Sequence, residues 1–184
     1  MPPSHAQLPQ EKPDVPPGAA RLTLVLGGAR SGKSRHAEDL ITALPPPWTY
    51  VATAQPLDDE MAARIAEHRS RRDPLWRAVE APREVAGAID TADGAVLVDC
   101  LTLWLSNLML SGADIDVETQ RLEQALIHTS HPVVLVANEV GLGIVPDNAL
   151  ARRFRDAAGR LNQVMAARAD RVVLMVAGIP MQVK

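Results

Sequence analysis

A glycine-rich turn between an apolar run and a helix-compatible run restricts the possible folds of this chain more than any other feature. Residues 22–26 are apolar or β-branched, and residues 34–44 suit a helix. The turn between them has the spacing of a P-loop, with the sequence Gly27-Gly28-Ala29-Arg30-Ser31-Gly32-Lys33-Ser34. This succession predicts a phosphate-binding loop at the edge of an α/β sheet. The alternative is a strand-to-helix turn that binds no ligand.

The parts of this loop have separate expected roles. Glycines allow successive backbone N–H groups to face phosphate oxygens, and the positive end of the next helix adds to the attraction. We expect Lys33 to bridge the β- and γ-phosphates and the Ser34 hydroxyl to bind Mg²⁺. The loop therefore predicts a bound nucleoside triphosphate with its metal.

Length and composition indicate a chain that acts on small molecules. The 184 residues suit one core between a sheet and two helix layers. The net charge of −3 does not indicate binding to nucleic acid or to an anionic membrane. The single cysteine, Cys100, cannot form an intrachain disulfide. No apolar run reaches the roughly 20 residues of a membrane span, and the start does not resemble a signal peptide. We expect a soluble cytoplasmic protein.

The first 20 residues differ in composition from the rest. They contain six prolines and little apolar material, which predicts a disordered or partly extended lead-in. Residues 21–184 are then expected to form one domain.

Strand-like and helix-like runs alternate after the P-loop. Predicted strands are 22–26, 48–52, 74–80, 95–99, 133–137 and 171–176, and Gly178-Ile179-Pro180 is expected to end the last of them. Predicted helices are 34–44, 58–72, 85–90, 101–105, 116–129 and a long one from Asn148. The pattern predicts a three-layer α/β fold of the P-loop NTPase (RecA-like) class with a mainly parallel sheet.

Helical spacing predicts which side chains of the last two helices are buried. On 116–129 these are Val117, Leu122 and Leu126, and on the final helix they are Leu150, Phe154, Leu161 and Met165.

An acidic residue ends the apolar run 95–98. Asp99 in this position fits the Walker B pattern and is expected to act through the Mg²⁺ shell. The alternative is that its carboxylate caps the helix that starts at Leu101.

The predicted helix 58–72 has an unusual basic face. Glu60, Arg64 and His68 recur at every fourth position, and further arginines crowd the C-terminal end. This pattern has two readings. One is a solvated face that complements the helix C-terminus. The other is a triphosphate-binding surface on which neutral His68 is a nucleophile toward phosphorus.

Three polar residues lie at the end of a predicted strand or just after one, and they are candidates for ligand contact. Glu80 could hydrogen-bond a base or ribose, or it could be an ordinary surface carboxylate. Asn138 and Glu139 could contact substrate, or they could serve only as turn residues.

Several blocks of the chain together resemble one family, the bifunctional adenosylcobinamide kinase/adenosylcobinamide-phosphate guanylyltransferases of cobalamin biosynthesis. The resemblance covers residues 22–184, so it omits only the proline-rich lead-in. The blocks are the P-loop 27–34, Tyr50-Val51-Ala52-Thr53-Ala54, Asp59-Glu60-Met61 with Arg64-Ile65 and His68-Arg69, Val98-Asp99-Cys100-Leu101-Thr102, Asn138-Glu139-Val140-Gly141 with Gly143-Ile144-Val145-Pro146, and Phe154-Arg155-Asp156 with Gly159-Arg160 and Asn162-Gln163.

The resemblance implies two reactions on one fold. Adenosylcobinamide first takes the γ-phosphoryl group of ATP or GTP. His68 then becomes guanylylated by GTP with release of pyrophosphate, and adenosylcobinamide phosphate takes the GMP to give adenosylcobinamide-GDP. The family is typically a trimer that binds the corrinoid between subunits.

The resemblance also implies site residues. Lys33, Ser34 and Asp99 would hold phosphate and Mg²⁺. Residues that flank the nucleophile or match nucleotide contacts are Arg69, Ser70, Arg71, Arg72, Thr53, Ala54, Gln55 and Glu80. Two departures from the pattern are the extra lead-in and the strongly basic run 69–72. Two other functions stay open from the residues alone: a plain small-molecule kinase or NTPase in which His68 is inert, and a nucleotide-dependent interaction module.

Overall fold

The computed structural model describes residues 20–56, 58, 59, 62, 63, 66 and 73–184. Predictions for the lead-in and for most of segment 57–72, which includes His68, therefore lie outside the described residues. The strands are β1 (Leu22–Gly27), β2 (Trp48–Ala52), β3 (Trp76–Glu80), β4 (Ala95–Asp99), β5 (Val133–Asn138), β6 (Arg171–Val176) and β7 (Ile179–Gln182). The helices whose two ends lie within the described residues are α1 (Lys33–Thr42), α2 (Val85–Asp90), α3 (Leu101–Ser111), α4 (Ile115–His128) and α5 (Ala149–Arg168).

The strands form one sheet in the order β3-β2-β4-β5-β1-β6-β7. All neighbouring pairs are parallel except β6 and β7, which are antiparallel. The predicted mainly parallel sheet is therefore confirmed. Because β5 lies between β1 and β4, the ends of these three strands meet at one edge of the sheet.

The two faces of the sheet bury separate cores. Alternate residues of β1 enter opposite cores, as Leu24 packs with α3, α4 and α5 whereas Val25 packs with Ala37 and Ile41 of α1. Both β1 residues are completely buried. A sheet with helices on both faces confirms the predicted three-layer architecture.

Most predicted element positions agree with the structure. β2, β4 and β6 have the predicted bounds, and the first residues of the predicted helix 58–72 are helical at Asp59, Ala62, Ala63 and Ala66. α3 is longer than predicted, because it continues to Ser111 and ends at Gly112 in a left-handed conformation. Gly178 follows the end of β6, but Ile179 and Pro180 open β7, a strand that the sequence did not predict.

Two predicted core residues are instead exposed. Val117 is 50% and Leu150 is 53% exposed, whereas Leu122, Leu126, Leu161 and Met165 are buried as predicted and Phe154 is partly buried. Asp114 and Asn148 cap α4 and α5 through side-chain bonds to first-turn N–H groups. Val117 and Leu150 lie in these first turns, and the buried residues of each helix begin only later.

Among the described residues, no helix combines the length and the apolar content needed to span a membrane.

Candidate active site

The P-loop lies at the carboxyl end of β1 and leads directly into α1. Arg30 and Gly32 have positive φ values of 56° and 91°, which turn the backbone tightly enough for successive N–H groups to face one side. Gly32 is the N-cap of α1, and the first turn of this helix carries no acidic residue that would repel an anion. First-turn N–H groups have no acceptor within their own helix. The loop therefore has the backbone geometry of an anion site.

Lys33 folds back over this loop. Its Nζ donates a hydrogen bond to the Gly28 carbonyl at 3.1 Å, and the same carbonyl accepts a bond from the Ser31 N–H at 3.3 Å. The ammonium group therefore lies at the mouth of the loop, which is the place where phosphate charge would need to be neutralised.

Asp99 lies at the end of β4, across β5 from the P-loop strand. Tyr50 donates its hydroxyl hydrogen to Asp99 Oδ2 at 3.0 Å, which fixes the carboxylate. The N-cap of α3 is Cys100, and no side-chain bond caps this helix. The alternative reading of Asp99 as a helix cap is therefore wrong.

Cys100 is a buried free thiol between Asp99 and the start of α3. Burial and, to a smaller extent, the Asp99 carboxylate raise the pKa of the Cys100 thiol to about 11, although the Lys33 ammonium opposes the rise. Both charged groups therefore act on the same buried position. At neutral pH this thiol is protonated, so it is a poor nucleophile.

The oxygen donors around this point fit a hard cation. Ser34 lies in the first turn of α1, and Asp99 is the last residue of β4. Mg²⁺ is usually bound through one or two protein oxygens together with phosphates and waters. Within the described residues no group of three or more His, Cys, Asp or Glu side chains could hold a metal. The donor set thus fits a metal that is shared with a nucleotide.

Thr53 ties the end of β2 to the start of α3. Its hydroxyl donates to the Cys100 carbonyl and accepts from the Cys100 N–H, both at 2.8 Å, and the Asn107 side chain donates to the Thr53 carbonyl at 2.8 Å. Sequence reasoning missed Asn107 because a polar residue inside a largely buried helix gives no sign of its partner. Thr53, Ala54 and Gln55 follow β2 at the same sheet edge as Asp99, and their contact with a nucleotide stays a prediction.

The two candidates at the end of β5, Asn138 and Glu139, differ in their side-chain contacts. Glu139 Oε1 accepts a bond from the Gly141 N–H at 2.6 Å, which is turn chemistry. Asn138 has its backbone N–H bonded to Thr102 Oγ1 at 2.6 Å, whereas its buried Oδ1 has no partner among the described residues. A buried acceptor without a donor makes Asn138 the stronger candidate for ligand contact.

The remaining predicted residues divide into two groups. Glu80 ends the edge strand β3, in register with Ala52, and it is exposed at the carboxyl edge of the sheet. The contact of Glu80 with a base or ribose stays a prediction. His68, Arg69, Ser70, Arg71 and Arg72 lie outside the described residues.

Solved structures with similar architecture include a flagellar accessory protein and an ATPase. The flagellar accessory protein FlaH of Methanocaldococcus jannaschii matches with a TM-score of 0.51 and 11% identity, over 89% of this chain and 78% of that one. An ATPase from the type III secretion system of pathogenic bacteria matches with a TM-score of 0.53 and 10% identity, over 84% of this chain and 50% of that one. At such identities these likenesses show only the fold, which is the predicted P-loop NTPase class.

Two curated proteins share far more sequence identity with this chain than those structures do. The bifunctional adenosylcobalamin biosynthesis protein CobU of Salmonella typhimurium is 49% identical over an alignment that covers 89% of this chain and 99% of that protein. The corresponding CobP of Pseudomonas aeruginosa is 48% identical over 166 residues, or 88% of this chain and 96% of that protein. The family model for cobinamide kinase / cobinamide phosphate guanyltransferase matches residues 23–183. The chain therefore belongs to the cobinamide kinase / cobinamide phosphate guanyltransferase family of bifunctional enzymes.

Proposed function

We propose that this enzyme phosphorylates adenosylcobinamide with ATP or GTP and then transfers GMP from GTP to the phosphorylated product through a guanylylated histidine. The observation that carries the proposal is the meeting of the P-loop and Asp99 at one sheet edge, with Lys33 held over the loop. Membership in a family of cobinamide kinases and guanyltransferases supports the choice of substrate.

The first reaction is a phosphoryl transfer. The hydroxyl oxygen of the substrate bonds to the γ-phosphorus as the bond from that phosphorus to the β–γ bridging oxygen breaks. The nucleoside diphosphate leaves, and the hydroxyl proton is released to solvent. Lys33 and the loop N–H groups stabilise the charge on the phosphate oxygens. Asn138, whose buried Oδ1 has no partner in the described part of the chain, is proposed as a substrate contact.

Mg²⁺ is proposed to bind through the Ser34 hydroxyl and the Asp99 carboxylate. It would supply charge neutralisation at the triphosphate. The Tyr50 hydroxyl orients the carboxylate by its bond to Oδ2.

The second reaction is proposed to use His68 as a nucleophile. An imidazole nitrogen bonds to the α-phosphorus of GTP while the bond from that phosphorus to the α–β bridging oxygen breaks, and pyrophosphate leaves. A phosphate oxygen of the cobinamide phosphate then attacks the same phosphorus and breaks its bond to nitrogen. One difficult transfer is thereby divided into two displacements. Arg69, Ser70, Arg71 and Arg72 are proposed to flank the phosphates.

The same family resemblance leads us to propose a cytoplasmic protein. We also propose that it forms a trimer and binds the corrinoid between subunits. The loop after β5 supports an assembled state, because Leu142, Ile144 and Val145 are 88%, 97% and 61% exposed. Such a group of exposed apolar side chains is typical of contact surfaces.

The proposal is tested with GTP labelled at the α-phosphorus. Incubation with Mg²⁺ and no corrinoid is expected to attach close to one equivalent of label to the protein, and GTP labelled only at the γ-phosphorus is expected to attach none. Added cobinamide phosphate should then remove the label as cobinamide-GDP. If the protein phosphorylates cobinamide but never acquires the α-label, the guanylylated histidine is wrong and only the kinase reaction stands.

Asp99→Asn is expected to lower the rate of the phosphoryl transfer about a hundredfold and to shift the magnesium titration to higher concentration. A neutral amide is a poor ligand for a hard cation, while its size preserves the packing. The measurement is kinase rate against Mg²⁺ concentration. Asp93→Asn is the matched control, because Asp93 is an exposed carboxylate paired with Arg77 away from the loop. A wild-type magnesium titration for Asp99→Asn would assign the carboxylate to structure alone.

A further inference from the structure

The turn between β6 and β7 lies against the P-loop. The Gly178 N–H donates a hydrogen bond to the Ser31 carbonyl at 3.0 Å. A Cβ placed on Gly32 would lie 3.4 Å from the Gly178 Cα, so the two backbones are in close contact. The end of β6 also abuts the loop, since a Cβ on Gly27 would lie 2.9 Å from the Met175 carbonyl oxygen.

This bond fixes the orientation of one peptide plane in the loop. The Ser31 carbonyl and the Gly32 N–H belong to the same planar peptide unit, and in a trans peptide they point in opposite directions. With the carbonyl held toward the β6–β7 turn, the Gly32 N–H must point away from the turn. Gly32 is the N-cap of α1, where backbone N–H groups have no acceptor within their own helix.

The peptide between Ser31 and Gly32 needs such a restraint more than its neighbours do. Gly32 has a φ of 91°, and glycine accepts positive and negative φ values at similar cost. Rotation of this peptide by half a turn would therefore encounter little steric resistance within the loop. The rotated peptide would present a carbonyl oxygen to bound phosphate and would repel it.

We propose that Gly178 is a positioning residue for the nucleotide: its N–H holds the Ser31 carbonyl so that the Gly32 N–H faces the phosphates. This inference rests on the proposed nucleotide site and adds a group outside the P-loop motif to it. The β6–β7 turn thus restrains the P-loop from outside the motif, through one backbone hydrogen bond.

The conformation of the turn supports this role. Ala177 and Gly178 have φ values of 50° and 81°, which form a tight two-residue hairpin between Val176 and Ile179. A positive φ is unfavourable for alanine, because its Cβ crowds the backbone. Because a two-residue hairpin of this type needs positive φ at both central residues, the turn itself fixes the direction of the Gly178 N–H.

The test compares nucleotide affinity among variants of the full chain. Glycolic acid in place of Gly178, introduced by nonsense suppression, replaces the donor N–H with an ester oxygen and adds no side chain. We expect its Kd for a fluorescent GTP analogue to rise about five- to tenfold. The KM for nucleotide should rise with it, while the KM for cobinamide stays unchanged.

Side-chain variants provide a second measurement. Gly178→Val should weaken nucleotide binding at least as much, because a β-branched residue disfavours a positive φ, and the position has room for the side chain. Gly178→Asn should bind nucleotide with an affinity close to wild type, since asparagine tolerates a positive φ and keeps the backbone N–H. Ala177→Gly is the matched control: it relieves strain in the same turn and should leave the Kd unchanged.

Two results separate the inference from the function beneath it. If the wild-type protein binds no nucleotide, the proposed function fails. If the wild type binds nucleotide and the ester variant binds it equally well with an unchanged melting temperature, the positioning role of Gly178 is wrong and the proposed function stands. Should Gly178→Val fail to fold, the ester and asparagine variants still decide between these outcomes.

Discussion

Lys33→Ala is expected to abolish both the kinase and the guanylyl-transfer reaction, with rates at least about a thousandfold below wild type. Both reactions build negative charge on triphosphate oxygens, and both use the same loop in the proposed mechanism. The Lys33 ammonium already lies over this loop through its bond to the Gly28 carbonyl. The two rates are measured separately, as phosphate transfer to cobinamide and as protein labelling by α-labelled GTP.

The matched control for this substitution is Lys184→Ala. Lys184 is the other lysine in the described part of the chain, and its Nζ contacts carbonyls at the end of α5, Ala166 and Ala167. Loss of its charge should leave both rates near wild type. If Lys33→Ala keeps the kinase rate but loses labelling, the two reactions do not share one phosphate site.

His68→Ala is expected to eliminate covalent labelling by α-labelled GTP while nucleotide binding persists. Alanine removes the attacking nitrogen but leaves the P-loop and its lysine in place. The kinase reaction should retain most of its rate, which separates this variant from Lys33→Ala. His128→Ala is the control, because His128 is an exposed histidine in the last turn of α4.

The chemistry of the label gives an independent check. A phosphorus–nitrogen bond is expected to be lost in acid and to survive base, unlike a serine or aspartyl ester. Labelling should also fall as pH drops below the ordinary imidazole pKa of about 6.5, because protonated imidazole has no lone pair for attack. Full labelling of His68→Ala would show that another residue is the nucleophile.

Local patterns predicted the centre of the site because each pattern is contained in one short segment. The P-loop spacing needs only residues 27–34, and Asp99 follows directly from the apolar run before it. The bond from Tyr50 to Asp99 could not be predicted in this way. It depends on the alignment of β2 with β4, and no feature of either strand alone specifies that alignment.

The missed strand has a similar explanation. β7 has four residues, one of which is Pro180, and its side chains are exposed, so it lacks the buried or alternating pattern of a strand. Its position depends on pairing with β6. The exposed Val117 and Leu150 show the complementary error: helical spacing identifies an apolar face but cannot tell where along the helix the packing begins.

The neighbours of β1 have a consequence for how the protein is made. Leu22 at the start of β1 donates its N–H to the Asp170 carboxylate, 148 residues later in the chain, and β1 pairs only with β5 and β6. During synthesis this apolar strand therefore leaves the ribosome well before either of its partners. Pairing across such sequence separations is slow, and an unpaired apolar strand is prone to aggregation meanwhile. Lower temperature during expression should thus increase the yield of folded enzyme, because hydrophobic attraction between unpaired apolar strands weakens on cooling.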